Sequence, residues 1–135
     1  VTSSLFAVQE AVYGTLSGNA ALQSLIGNPT RLYDVVPPAA VFPYVTLGDL
    51  TIKEFDTKDR SGFEQILVLR AWSRARGRKE LKQIMQAIYD ALHAASLSVT
   101  GADAVSCQFQ SAATSAESDG LTLQGVLRFR VIVQH

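Results

Sequence analysis

Gln65-Ile66-Leu67-Val68-Leu69-Arg70-Ala71-Trp72-Ser73 is the stretch on which the fold turns. From Ile66 to Leu69 it is apolar without alternation, so both of its faces expect burial. That is the mark of a strand inside a sheet rather than at its rim. Downstream, Leu81, Ile84, Met85, Ile88 and Leu92 repeat at spacings of three and four, which predicts an amphipathic helix from about Arg78 to Ala95. Upstream, Tyr44 to Ile52 reads as a second strand, with Val45 and Leu47 on one face and Tyr44, Thr46 and Leu50 near the other. Gly48 marks a candidate bulge in it. The charged segment Lys53 to Gly62 joins the two strands.

Further out, Leu5, Val8, Val12 and Leu16 give the stripe of a helix over residues 4 to 17. Gly18-Asn19 ends it, and Ala20 to Ile26 adds a short helical turn before Gly27-Asn28-Pro29. Arg31 to Gly48 holds three of the four prolines, at 37, 38 and 43. Proline fixes φ and biases the residue before it away from helix, so this stretch is expected to be an extended ramp that delivers Tyr44 into its strand.

Beyond the long helix and the turn at Gly101, Val105, Cys107 and Phe109 alternate with Ser106, Gln108 and Gln110. The small, polar residues Ser111 to Gly120 read as a connection. From Leu121 the alternation resumes: Leu121, Leu123, Leu127, Phe129, Val131 and Val133 on one face, and Thr122, Gln124, Arg128, Arg130 and Gln134 on the other. The expected architecture is therefore α+β: about four antiparallel strands with two main helices on one face, in the order α-β-β-α-β-β.

The chain has 135 residues, long enough for one domain, residues 1–135, with a core that needs no staples. Twelve basic residues balance twelve acidic ones, which argues against a dedicated nucleic-acid or membrane-surface binder. The single cysteine, Cys107, excludes an intrachain disulfide and is expected to be a small apolar filler. No segment reaches the ~18 consecutive apolar residues of a membrane span, so a soluble protein made in a cytosol is expected. His93 falls at the end of the long helix, where an imidazolium suits the negative end of the dipole. His135 is terminal. Two distant histidines and one cysteine give no zinc spacing, and no P-loop, nucleophile elbow, H-E-x-x-H or G-x-G-x-x-G is present. Neither an enzyme nor a bound cofactor or metal is expected.

Charge is unevenly placed. Arg70, Arg74, Arg76, Arg78, Lys79 and Lys82 lie within thirteen positions, opposed only by Glu80. Cations at the start of a helix oppose its macrodipole, by a few tenths to ~1 kcal/mol each. Either this is a solvated loop or an external anion compensates, phosphate of DNA or carboxylates of a neighbouring chain. Asp49, Glu54, Asp56, Asp59 and Glu64 cluster around the first strand connection, among Lys53, Lys58 and Arg60. That connection exceeds the usual hairpin length. Unless it is simply solvated, it is expected to reach beyond its own subunit, into a neighbouring copy or another component of its assembly. The candidate interface residues are accordingly Glu54, Asp56, Lys58, Asp59, Arg60, Arg74, Arg76, Arg78 and Lys79.

Four segments, taken in order, resemble a known family. The run R-L-Y-D-V-V-P at 31–37, leading into F-P-Y-V-T-L-G at 42–48, is joined by L-S-G-N-A-A-L-Q-S-L-I-G at 16–27. G-F-E-Q-I-L-V-L-R-A-W-S-R at 62–74 and S-D-G-L-T-L-Q-G-V-L-R-F-R-V at 118–131 complete the set. Together they resemble the tail-terminator or tail-completion (head-to-tail joining) proteins of long-tailed phages and gene transfer agents. The resemblance implies a structural virion protein, assembled in the bacterial cytoplasm, that forms a ring, typically a hexamer. Such a ring caps the tail tube and meets a head-connector protein, and DNA passes its lumen. Two alternatives share the α+β fold: a head-completion adaptor of the connector, and a small ligand-binding domain with a pocket at the Trp72-Ser73 strand end.

Overall fold

The computed structural model describes residues 4–27, 30–33, 35–54, 62–93 and 104–134. Helices α1 (Ser4–Ser17) and α2 (Ala20–Ile26) precede strands β1 (Leu32–Tyr33), β2 (Tyr44–Glu54) and β3 (Gly62–Ser73). Helix α3 (Lys79–Leu92) and strands β4 (Ala104–Ala116) and β5 (Leu123–Gln134) follow. Among the described residues five strands form one sheet, in the order β1-β2-β3-β5-β4. As the double-sided apolar run of Ile66 to Leu69 requires, β3 is the middle strand. It is antiparallel to both of its neighbours, pairing Tyr44 with Trp72 on one side and Leu67 with Phe129 on the other.

The architecture is α+β, but the expected order is corrected to α-α-β-β-β-α-β-β. The additional helix is the short turn at Ala20–Ile26. Asn19 caps it, its side chain accepting the Leu22 N–H at 2.9 Å. The additional strand, β1, is only two residues long, too short for any periodicity to register, and it runs parallel to β2, so the sheet is mixed.

The proline ramp is likewise corrected. Leu32 and Tyr33 pair alongside Val45 and Thr46, and the Ala40 N–H donates to the Pro37 carbonyl at 3.2 Å, closing a turn in what was expected to be continuous extended chain. Arg31 Nε donates to the Pro43 carbonyl at 2.8 Å and ties the two ends of the excursion together. The Phe42–Pro43 peptide is cis.

Two further boundaries move. Ser111 to Ala116 continue β4 rather than forming a connection. A register shift between Phe109 and Ser111 breaks the alternation, so small residues that read as loop go on pairing with Leu123 to Arg128. Leu121 belongs to the turn and is exposed, whereas Thr122 is buried. The bulge expected at Gly48 is present, as a register shift between Leu47 and Leu50.

The described part of the burial expected of the helical stripes is on one side of the sheet, Leu5 lying outside the described side chains. Val8, Val12 and Leu16 of α1, Leu22 and Ile26 of α2, and Leu81, Ile84, Ile88 and Leu92 of α3 pack with Val45, Leu69, Leu127, Phe129, Val131 and Val133. Cys107 is buried among them, and desolvation pushes its thiol up to about 11, so it is an inert filler. Gly125 sets the approach of α3 to β5: a Cβ there would stand 2.5 Å from Met85 Sδ and 3.3 Å from Leu81 Cδ1. At the end of α3, His93 is the C-cap residue. Its ring stacks on Tyr89 with centroids 4.8 Å apart, and its Nδ1 accepts the Phe109 N–H at 3.4 Å.

Candidate functional site

The end of β3 is built to hold a loop. Ser73 is fully buried, and its hydroxyl donates to Glu80 Oε1 at 2.8 Å while accepting the Ala75 N–H at 3.2 Å. This fixes the strand end to the first turn of α3, where the Glu80 carboxylate also suits the positive end of the helix. Between them run residues 74–78, turned at Gly77, whose φ of 73° lies in the left-handed region that glycine enters without a steric penalty.

Arg74 is held on three sides. Its guanidinium lies 4.2 Å over the Phe42 ring, Nε donates to Thr122 Oγ1 at 3.1 Å, and Nη2 stands 3.9 Å from Asp119 Oδ2. Asp119 in turn organises the β4–β5 turn. Oδ1 accepts the Leu121 and Thr122 amides, each at 2.8 Å, and Oδ2 accepts the Thr122 hydroxyl at 2.7 Å. The Thr122 and Leu121 amides first, then the Thr122 hydroxyl and the Arg74 charge, push the Asp119 carboxyl down to about 2. Because the folded value lies below the ordinary aspartate value, the turn's stabilisation is complete above pH ~4 and disappears as pH falls toward 2. Asp119→Asn is therefore expected to flatten the loss of stability over that interval, read as the urea midpoint against pH.

The sequence-expected cluster is thus divided. Arg74, Arg76, Arg78 and Lys79 share one end of the sheet and, apart from Lys79, line a cleft of about 460 Å³ with Leu121 and Leu123. Arg76, Arg78 and Lys79 are exposed, and among the described residues none of the three has an ion-pair partner. Arg70 instead sits on the sheet face away from the helices, opposite Thr46 and Val126. Lys82 lies on α3 at the rim of a different groove.

The acidic group is divided too. Glu54 is exposed at the end of β2, at the opposite end of β3 from the basic turn. Asp56, Lys58, Asp59 and Arg60 lie outside the described residues. Glu64 does not belong with them: it is buried, receives Arg130 Nη2 at 3.0 Å and stands 3.8 Å from Lys53 Nζ. The Arg130 hydrogen bond chiefly holds its carboxyl below the usual range.

Phe42, Asp119, Leu121 and Thr122 join the basic end without having been singled out in the sequence. Only the Ser118-Asp119-Gly120 turn chemistry signalled any of them. Behind Arg74 an aromatic chain runs from Phe42 to Tyr44 (4.9 Å) and on to Trp72 (6.3 Å), with Tyr33 beside Tyr44 (5.8 Å). Trp72 Nε1 donates to Thr46 Oγ1 at 3.3 Å. Trp72 and Ser73 are absorbed into this framework, and neither lines the cleft beside Arg74. Among the described residues no cluster of three or more His, Cys, Asp or Glu could hold a metal, and no helix is long and apolar enough to cross a membrane.

The fold is thus a sheet with its helices packed on one face and charged turns at the strand ends. Its class comes from the comparisons. The family described as Tail completion protein gp17 matches residues 10–134, and the chain belongs to it. A chain in the virion of a native gene transfer agent (GTA) particle superposes with a TM-score of 0.88 at 28% identity, the match covering 100% of each chain. Curated protein sequences return no match. The protein is a structural, non-enzymatic tail completion protein of a virion or gene-transfer particle.

Proposed function

We propose that this chain is a tail-terminator subunit. It assembles into a ring of six that caps the finished tail tube and joins the tail to the head connector. The observation that carries the reading is the end-to-end agreement with a gene-transfer-particle chain: all of both chains, at a TM-score of 0.88. The mechanism is geometric, with one ring surface complementary to the last tube ring and the other to the connector. Buried apolar anchors supply affinity and charges supply register and encounter rate.

The placement of charge supports a division of labour. Residues 54–60, with Glu54, Asp56, Lys58, Asp59 and Arg60, follow one end of β2, while Arg74, Arg76, Arg78 and Lys79 follow the far end of β3. Along the twelve residues of β3, Glu54, opposite Phe63, stands roughly 35 Å from the basic turn that follows Ser73. Groups so separated serve different neighbours. We assign the two ends of the strands to the axial contacts with tube and connector, the basic end meeting carboxylates of the adjoining ring or phosphate of the DNA that passes it.

Particles assembled without this chain test the proposal. The expected result under the electron microscope is tails of uncontrolled length that do not join heads. Tails of normal length beside heads that fail to retain DNA would move the assignment to a head-completion adaptor, and normal joined particles would overturn it.

A further inference from the structure

Between α3 and β4 lies a second groove, of about 400 Å³, with Met85, Tyr89, Phe109, Ala112 and Leu127 in its walls and Lys82 at its rim. Tyr89 and Phe109 are only half-buried, and Met85 is the most adaptable of apolar side chains. The groove runs beside the outer edge of the sheet. Among the described residues nothing pairs with that edge of β4. Exposed edges are normally blunted with charge, proline or bulges. Over Ala104 to Ala116 there is no charged residue and no proline. The bulge at Phe109 and Ser111, with His93 on the Phe109 amide, protects the middle, whereas Ser111 to Ala116 carry no such device.

The other edge of the same sheet offers a matching surface. The loop joining β1 to β2 leaves Val35 83%, Val41 62% and Val36 38% exposed, an apolar protrusion with no described partner. Pro37 and Pro38 stiffen it, so seating it elsewhere costs little conformational entropy. In the order β1-β2-β3-β5-β4 the loop and the groove lie four strand spacings apart, roughly 19 Å, so they do not satisfy each other within one subunit. Placed side by side in a ring, each subunit presents its loop to its neighbour's groove.

We propose that the β4 edge and its groove receive the proline loop of a second copy of this chain, Val35 and Val41 entering beside Phe109 and Ala112. This is a heterologous contact, the kind that closes a ring when the rotation allows. It deepens the ring reading above and rests on it. Lateral contacts then run edge to edge through apolar surface, leaving the charged strand ends for the axial partners.

The full chain carrying Val41→Cys and Ala113→Cys, mildly oxidised, is expected to give a ladder of disulfide-linked oligomers up to the covalent ring. Either single variant alone is expected to give none. Val35→Asp with Val41→Asp, on a loop that contributes nothing to the core, is expected to keep the thermal midpoint while weakening association about tenfold or more per valine. A ring seen by light scattering that neither ladders nor responds to the aspartates overturns this contact and leaves the ring standing. A cross-link only to a tube or connector protein overturns it in favour of that partner. A monomer both alone and on tail tubes removes the ring reading along with it.

Discussion

Phe129→Ala is expected to lower the unfolding free energy by about 3–5 kcal/mol, the usual cost of emptying a fully buried aromatic site. Phe129 has no exposed surface and sits in the middle of β5, between Leu67 of β3 and Phe109 of β4. Its ring meets Phe109 edge-on at 5.6 Å, and Phe109 meets Tyr89 edge-on at 5.0 Å, so one truncation removes the base of an aromatic stack. Against a typical stability of ~5–15 kcal/mol this is a large fraction. Thermal unfolding would register it as a fall of roughly 10–20 °C. Because Phe109 and Tyr89 wall the groove beside β4, the variant should also lose ring formation at temperatures where it is still folded. Phe109→Ala, at a half-exposed position, should cost less stability. Equal midpoints for the two variants would contradict this account of the core.

The elements that the sequence displayed were those whose burial leaves a mark on composition or spacing. Ile66 to Leu69 announced the middle strand by an unbroken apolar run, buried on both faces, and the spacing of Leu81, Ile84, Ile88 and Leu92 announced α3, because burial of one helix face writes a period into the chain. Where burial leaves neither run nor period, the reading failed. Strand β1 is two residues held by pairing with β2, and Ser111 to Ala116 are small and exposed, so neither carries a hydrophobic rhythm. The basic end was legible as a run of cations. What organises it was not, because Phe42, Asp119 and Thr122 arrive from parts of the chain remote from Arg74. Glu64 illustrates the opposite error. Read along the chain it joins an acidic group, but its partner Arg130 lies 66 residues away across the sheet.

Reversing Arg76, Arg78 and Lys79 together to glutamate is expected to separate stability from assembly. Arg74 must be left alone, since its contacts to Phe42, Thr122 and Asp119 hold the turn, and its loss would confuse folding with docking. The other three are exposed and sit before or within the first turn of α3, where cations oppose the helix dipole. Carboxylates there favour the helix by about 0.3–1 kcal/mol each at low salt, so the variant should melt no lower than the parent. If this end faces carboxylates or phosphate, each reversal turns attraction into repulsion. Several kcal/mol across the surface corresponds to roughly a hundredfold or greater loss of joined particles. Joining by the parent should also weaken as salt is raised, while the residual joining of the variant should not. A variant that melts normally and joins normally would show these cations to be a solvated turn. The axial contact would then have to lie elsewhere on the ring.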